Sequence, residues 1–169
     1  EMDISWCDSR LLTGEVDEGE ADFLNLRDPE LVVTRIPFLG RSVRFGDDLR
    51  ALLAIRRVIS DFKPDLVHTH TTKAGLLGRI AAVSCRVPLR VHTFHGHLLH
   101  GYFGRLASSA LVLVERVLAR GTTAFIAVGA RVRNDLLAAG IGRAGQYTVI
   151  PPGVGPVEHQ DRVTARVQL

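Results

Sequence analysis

The sequence predicts an α/β fold built on a doubly wound, mostly parallel sheet. Strand-like and helix-like segments alternate along most of the chain, which is typical of this class. The run 123–128 is apolar throughout, as expected for a strand covered on both faces. Between the strand candidates at 66–67 and 89–91 lies one helix candidate of about a dozen residues, the length that a right-handed parallel crossover requires.

Composition and length set the outer bounds. At 169 residues the chain is long enough for one domain with a core, and its 46% hydrophobic and 23% charged residues are ordinary for a soluble globular protein. A net charge of +3 without a basic run argues against nucleic-acid binding. Cys7 and Cys85 form no CxxC pair, and the first residues do not resemble a signal peptide, so we expect a cytoplasmic protein.

About five strands and four helices can be placed in order. β-branched and apolar runs bounded by Gly or Pro predict the strands, and helical spacing of apolar residues predicts the helices. Five strands are predicted at 31–36, 66–67, 89–93, 123–128 and 147–150. A short strand before them is predicted at 4–6 or 10–13. The predicted helices are 47–62, 73–84, 105–119 and 131–139. The domain is predicted over 1–154, and 155–169 is predicted to be a tail or linker.

Two of these helices carry an apolar stripe that predicts which face they bury. Asp47 or Asp48 is the predicted cap of the first helix. Its predicted buried face comprises Leu49, Leu52, Leu53, Ile59 and Phe62. The corresponding face of the helix 105–119 comprises Leu106, Ala110, Leu113, Val114 and Val117.

Six of the seven histidines follow two predicted strands. They are His68, His70, His92, His95, His97 and His100. In open parallel sheets the ligand binds outside the carboxyl ends of the strands, so these residues fall where a substrate would lie.

Three interpretations of the histidines compete. Ligand-like spacing of His92, His95 and His97 is compatible with a metal-dependent hydrolase, although no acidic residue or cysteine nearby completes a metal shell. Single histidines can instead cap the end of a strand and bond to backbone, the role predicted for His68, His92 and His100. The chain would then be a binding module without catalysis. A sugar–phosphate site is the third interpretation, because imidazoles donate and accept hydrogen bonds and the start of the helix at Lys73 suits an anion.

Several motifs favour the third interpretation. The segments 64–75 (PDLVHTHTTKAG) and 91–97 (VHTFHGH), with 79–82 (RIAA), 115–119 (ERVLA) and 149–154 (VIPPGV), strongly resemble the amino-terminal domain of family 4 glycosyltransferases of the GT-B fold. The resemblance covers roughly 11–154 in register. It implies retaining transfer of a sugar from a nucleotide-sugar donor to a saccharide or lipid-linked acceptor of the cell envelope, with no cofactor and no tightly bound metal.

The resemblance also implies roles for individual residues. His95, in the Phe-His-Gly motif, would lie near the donor sugar as the catalytic residue. The substrate-binding residues would be His70, Thr71, Lys73, Gly75, Gly96, His97 and Gly129.

The departures from the family pattern concern what surrounds this domain. The family's first strand with its Gly-rich loop has no counterpart before Gly14, and the donor-binding second domain is missing, so we expect a truncated chain that is inactive alone. Peripheral membrane contact is a further hypothesis, based on a basic and aromatic edge formed by Arg41, Arg44, Tyr102, Phe103 and Arg105.

Overall fold

The computed structural model describes residues 7–16, 19, 21–22, 26–27, 29–40, 42–96 and 105–153, with backbone alone at 105–107. Six strands and four α-helices are defined within these residues. The strands are β1 (Leu11–Thr13), β2 (Val33–Arg35), β3 (Leu66–His70), β4 (Leu89–Phe94), β5 (Ala124–Ala127) and β6 (Tyr147–Val149). The helices are α1 (Phe45–Phe62), α2 (Thr72–Ser84), α3 (Arg105–Arg120) and α4 (Ala130–Ala138).

All the described strand pairs are parallel. β1 pairs with β2, and the other four strands form a sheet in the order β3-β4-β5-β6. A helix follows β3, β4 and β5 in turn, so each pair of neighbouring strands is joined by a helical crossover. The predicted parallel α/β class is therefore confirmed. The alternative strand at 4–6 and the predicted tail 155–169 lie outside the described residues.

The apolar interior forms two clusters. One joins α1 and α2 to the chain after β2, and its buried members include Ile36, Ala51, Ile55 and Ala81. The other joins α3 and α4 to β4 and β5. The buried members of this second cluster are Phe94, Ala119, Phe125, Leu136 and Ile141.

The start of α1 corrects one prediction. The helix begins at Phe45 with Arg44 as its N-cap, so Asp47 and Asp48 lie in the first turn rather than at the cap. The backbone N–H of Arg44 still donates to Asp48 Oδ2 at 3.1 Å. An acidic residue in the first turn compensates the free amides there as a capping side chain would, which is why the sequence alone did not separate the two positions.

The predicted buried faces of α1 and α3 were also wrong in part. In α1 the buried residues are Ala51, Ile55 and Ile59, whereas Leu49 and Leu53 are more than half exposed. In α3 the sheet side carries Glu115 and Ala119, and the predicted stripe at Leu113, Val114 and Val117 is exposed. The buried side of α1 packs on α2 and on the chain after β2, and that of α3 packs on β4, β5 and α4, so residues of the predicted stripes outside these contacts remain exposed.

Close packing explains the glycines of α2. A Cβ at Gly75 would lie 2.4 Å from His92 Cε1, and one at Gly78 would lie 2.8 Å from Thr69 Cγ2. Both glycines therefore let α2 approach β3 and β4 more closely than any larger residue allows.

We predict that Gly75→Ala destabilises the fold by about 1–3 kcal/mol, because the buried His92 ring must move to admit the new methyl group. Gly46→Ala is the matched control: Gly46 also lies in the first part of a helix, but a Cβ there meets nothing within 4 Å. Replacing that glycine should stabilise by up to about 1 kcal/mol through helix propensity. Urea unfolding of both variants measures the difference, and equal effects would show that the contact with His92 is unimportant.

Candidate active site

The carboxyl ends of the four sheet strands meet at one edge. His70 of β3 is in register with Thr93 of β4, and Phe94 is in register with Ala127 of β5. His95 directly follows the end of β4, and Gly129 lies two residues after the end of β5. His70, His95 and Gly129 thus lie at the same edge, as the doubly wound interpretation expected.

Two of the histidines are bound to threonines of the neighbouring strand. The His68 Nε2 and Thr93 Oγ1 atoms lie 2.7 Å apart. The His92 Nδ1 atom lies 2.9 Å from Thr69 Oγ1, whose hydroxyl donates to the carbonyl of Val91 at 3.2 Å. The Thr69 hydroxyl has one proton: when it donates to Val91, the Nδ1–H of His92 donates to Thr69, and in the other tautomer of His92 the hydroxyl donates to Nδ1. These contacts fit the prediction of a structural role for His68 and His92.

The interior around His92 keeps it neutral. Its side chain is almost completely buried, and this burial, followed by the charge of Arg79 and by the two histidines of β3, lowers its pKa to about 3. Burial is also the main cause of a lowered pKa at His68 and at His70.

His70 and His95 form a pair at the open edge of the sheet. Their Nδ1 and Nε2 atoms lie 2.9 Å apart, and the ring centroids are separated by 5.2 Å. Both residues are exposed, so this pair, unlike the buried His92, is accessible to a ligand.

A small cleft of about 40 Å³ opens beside His95. The residues that line it come from the ends of β3 and β4 and from three helices. They are Thr71, Thr72, His92, Thr93, Phe94, His95, Gly96, Leu111, Glu115 and Leu136. This volume holds a few water molecules and is well below the roughly 300–1,000 Å³ of sites that enclose a small-molecule ligand. The described residues therefore form one wall of a site rather than a closed pocket.

Thr71 joins β3 to α2 in an unusual backbone conformation. Its φ of 62° and ψ of 173° fall in a region that is almost restricted to glycine. Thr71 is the N-cap of α2, but its hydroxyl makes no capping hydrogen bond to the first amides of the helix. These amides belong to the part of α2 that begins at the cleft lining. Such amides favour a partially or fully negative ligand group.

Lys73 points toward α1 and not into the cleft. Its Nζ lies 2.5 Å from Asp48 Oδ1 and donates to the carbonyl of Ser42, also at 2.5 Å. Only 15% of the Lys73 side chain is exposed. Lys73 therefore fastens the segment before α1 to the start of α2, and its predicted contact with substrate would require this ion pair to open.

The predicted glycines differ in their surroundings. Gly75 is buried against His92, so packing accounts for it. Gly96 lines the cleft with a φ of 149°, which other residues rarely adopt. Gly129 is the extended N-cap of α4, and a Cβ there would meet nothing within 4 Å. His97 lies outside the described residues.

The part of the chain that the structure describes contains no group of three or more His, Cys, Asp or Glu side chains placed to hold a metal ion. Of the three ligands proposed for a hydrolase, His92 is buried and its Nδ1 is bound to Thr69. This geometry favours the sugar–phosphate interpretation over the metal interpretation.

One buried ion pair near the cleft was not anticipated. The Arg79 Nη2 group donates to Glu115 Oε1 at 2.8 Å, and Arg79 Nε donates to the carbonyl of Gly75 at 3.0 Å. Both residues lie in the motifs 79–82 and 115–119. They are 36 residues apart, so no local sequence pattern indicates that they form a pair. A glutamate within the apolar face of α3 was the one signal present in the sequence.

Residues 5–153 match the glycosyl transferase 4-like domain family. An Escherichia coli UDP-Gal:α-D-GlcNAc-diphosphoundecaprenol α-1,3-galactosyltransferase is 43% identical over 61 residues, covering 36% of this chain and 16% of that protein. The Staphylococcus aureus capsular polysaccharide biosynthesis glycosyltransferase CapM is 28% identical over 112 residues, covering 66% of this chain and 29% of that protein. The chain therefore spans less than a third of the length of either relative.

Solved structures share the fold at low sequence identity. A putative UDP-N-acetylglucosamine 2-epimerase from Listeria monocytogenes superposes with a TM-score of 0.61 at 13% identity, over 83% of this chain and 36% of its own. Acinetobacter baumannii MurG gives a TM-score of 0.54 at 14% identity, over 90% of this chain and 38% of its own. These likenesses confirm the Rossmann-like fold of one half of a GT-B architecture.

The neutral state of His92 predicts how stability depends on pH. An unfolded histidine binds a proton near pH 6.5, whereas the folded pKa is about 3, so the unfolded chain binds more protons in between. The contribution of His92 is complete above pH 6.5 and is lost as the pH falls, by about 1.4 kcal/mol per pH unit.

Denaturant unfolding between pH 7 and pH 4.5 measures this loss. We expect His92→Asn, which can still donate to Thr69, to have a shallower dependence than the unchanged chain, because it removes the titrating ring. Parallel curves for the two proteins would contradict the assignment.

Proposed function

Because the chain belongs to the glycosyl transferase 4-like domain family, we propose that it is the acceptor-side domain of a retaining glycosyltransferase that uses a nucleotide-sugar donor. The domain is assigned to residues 1–154. In this proposal a second domain binds the donor, and the two domains face each other across the edge that carries His70 and His95. The reaction requires no cofactor and no tightly bound metal.

The observation that carries the proposal is the position of His95 in the cleft wall. His95 stands beside Gly96 and opposite Thr71 and Thr72, at the edge where parallel sheets bind their ligands. Imidazole nitrogen atoms, threonine hydroxyls and free helix amides together suit a polar ligand with hydroxyl and phosphate groups. The small volume of the cleft is consistent with a site completed by a second domain.

The acceptor is proposed to be a polyprenyl-linked saccharide of the cell envelope. The name of the E. coli relative specifies a diphosphoundecaprenol-linked acceptor, and the S. aureus relative is named for capsular polysaccharide synthesis. The candidate acceptor contacts on this chain are His70, Thr71, Gly96, His97 and Gly129, with Lys73 and Gly75 supporting the start of α2.

His95 is the proposed catalytic residue. In retaining transfer the donor sugar gains positive charge as the diphosphate departs. An imidazole at the cleft wall can hydrogen-bond a sugar hydroxyl or the departing phosphate, and this contact strengthens as the charges separate. The residue would then lower the barrier of the chemical step more than it tightens substrate binding.

We predict that His95→Ala lowers kcat of the complete enzyme by on the order of 10²-fold, equivalent to about 3 kcal/mol of transition-state stabilisation, with little change in KM. Transfer of radiolabelled sugar to a short-chain polyprenyl diphosphate saccharide, normalised to folded protein, measures the effect. His100→Ala is the control for loss of a nearby histidine. Equal, small losses in both variants would refute the catalytic role.

Of the basic and aromatic edge predicted from the sequence, Arg41, Tyr102, Phe103 and the side chain of Arg105 lie outside the described residues. We also propose peripheral contact with an anionic membrane, through an exposed surface at the start of α1. Its apolar members are Val43, Phe45, Leu49 and Leu53, and Phe45 is 92% exposed. Arg44 and Arg50 flank them on the same segment. Apolar residues with adjacent arginines are typical of helices that lie in the headgroup region of a bilayer. Among the described helices, none has the length and apolar character to cross a bilayer.

A Phe45→Ser/Leu49→Ser variant should float with vesicles containing anionic lipid several-fold less than the unchanged chain, because it removes apolar surface from the contact. Leu113→Ser/Val117→Ser, which removes exposed apolar residues from α3, is the matched control. Flotation that is independent of anionic lipid, or equal loss in both variants, would end this proposal.

A further inference from the structure

We propose that His70 is a positioning residue that couples the tautomer of His95 to its own and fixes the ring orientation of His95. The inference rests on the proposed function of His95 and adds a second histidine to it. His70 is the last residue of β3, and His95 directly follows β4, so both rings project from neighbouring, hydrogen-bonded strands. Of these two histidines, His95 lines the cleft and His70 does not. His70 contacts the His95 ring from outside the lining.

The proton between the two rings couples their tautomers. His70 Nδ1 and His95 Nε2 are 2.9 Å apart, which requires one of these atoms to carry hydrogen and the other to be bare. If the two neutral rings share that bond, either both rings are protonated at Nε2 or both are protonated at Nδ1. The tautomer of one histidine therefore determines that of the other.

This coupling determines what His95 offers to a ligand. Its Nε2 is occupied by His70, so Nδ1 is the nitrogen that remains for substrate. That atom accepts a hydrogen bond when both rings are protonated at Nε2, and donates one when both are protonated at Nδ1. Whichever of these states a substrate hydroxyl or phosphate oxygen selects at the cleft, His95 can change between them only together with His70.

The surroundings hold His70 in place. The His68 ring lies 4.3 Å from the His70 ring, centroid to centroid, and His68 is itself bound to Thr93 Oγ1. On the other side the chain turns sharply at Thr71 into α2. Burial, and secondarily the adjacent His95, lower the pKa of His70, which favours the neutral form of the His70 ring.

Two amide variants test whether His95 needs a hydrogen-bonding group at the position of His70 Nδ1 or only a side chain that fills the space. His70→Asn places an amide close to where Nδ1 lies and can still bond His95, whereas His70→Gln carries the same amide one methylene farther out. His70→Phe keeps a ring but has no nitrogen. The variant His68→Phe controls for the loss of a neighbouring histidine.

The first measurement uses this chain alone and does not depend on activity. Side-chain ¹⁵N chemical shifts of His70 and His95 report their tautomer populations at pH 7.5. We expect His70 and His95 to show matching tautomer populations in the unchanged chain and in His68→Phe. The His95 populations should stay close to these in His70→Asn and should shift in His70→Gln and His70→Phe. Unchanged His95 shifts in both of the latter variants would overturn the proposal.

The second measurement is the split between kcat and KM in the complete enzyme. Loss of a residue that orients a functional histidine typically lowers activity by roughly ten- to a hundredfold. We expect His70→Gln and His70→Phe to lower kcat in that range, and His70→Asn to recover most of it. If the His95 tautomer populations shift but kcat is unchanged, His70 has no positioning role in catalysis. If the unchanged enzyme transfers no sugar, the proposed function fails while the ¹⁵N shifts still decide the coupling.

Discussion

The arrangement of this edge of the sheet depends on the buried ion pair between Arg79 of α2 and Glu115 of α3. Their side chains are only 2% and 6% exposed, and the Arg79 Nε–H also donates to the carbonyl of Gly75. An unpaired charge in such a place costs about 3–5 kcal/mol, so the two helices can pack here only with both partners in position. Glu115 also lines the cleft, which links this pair directly to the wall that carries His95.

The same pair explains why the histidines divide into two kinds. Arg79 adds positive charge beside His92. This charge reinforces the effect of burial, so the ring does not take up the second proton that would make it positively charged. His92 can therefore serve as an inner support, bonded to Thr69 and in contact with α2 where Gly75 leaves space. The outer histidines, His70 and His95, rest on this support and remain exposed. Chemistry at the surface thus depends on a neutral, closely packed layer beneath it.

The sequence predicted features that arise from local pattern and missed those that arise from long-range contacts. The apolar strands, the helical crossover between 66–67 and 89–91 and the clustering of histidines at one edge follow from short segments, and the family motifs placed His95 correctly at the carboxyl edge. The burial of Arg79 and the engagement of Lys73 with Asp48 depend on which helix lies opposite, which no local pattern records. The apolar faces of α1 and α3 were wrong in part for a related reason. Helical spacing shows that a stripe exists, but the elements that lie opposite decide which of its residues are buried. The buried residues of α1 belong to the cluster formed with α2, and Ala119 of α3 belongs to the cluster formed with β4 and β5.

The conformation of Thr71 shows how these contacts act together on the site. A β-branched residue at φ 62° and ψ 173° is strained by about 1–3 kcal/mol, and it persists only where its neighbours determine the path of the chain. On one side β3 is fixed by its pairing with β4, and on the other α2 is held by the Lys73–Asp48 and Arg79–Glu115 pairs. The chain must pass between these two fixed elements within one residue. The sharp turn at Thr71 meets this requirement. It keeps His70 at the end of its strand beside His95 and brings the start of α2 to the same cleft.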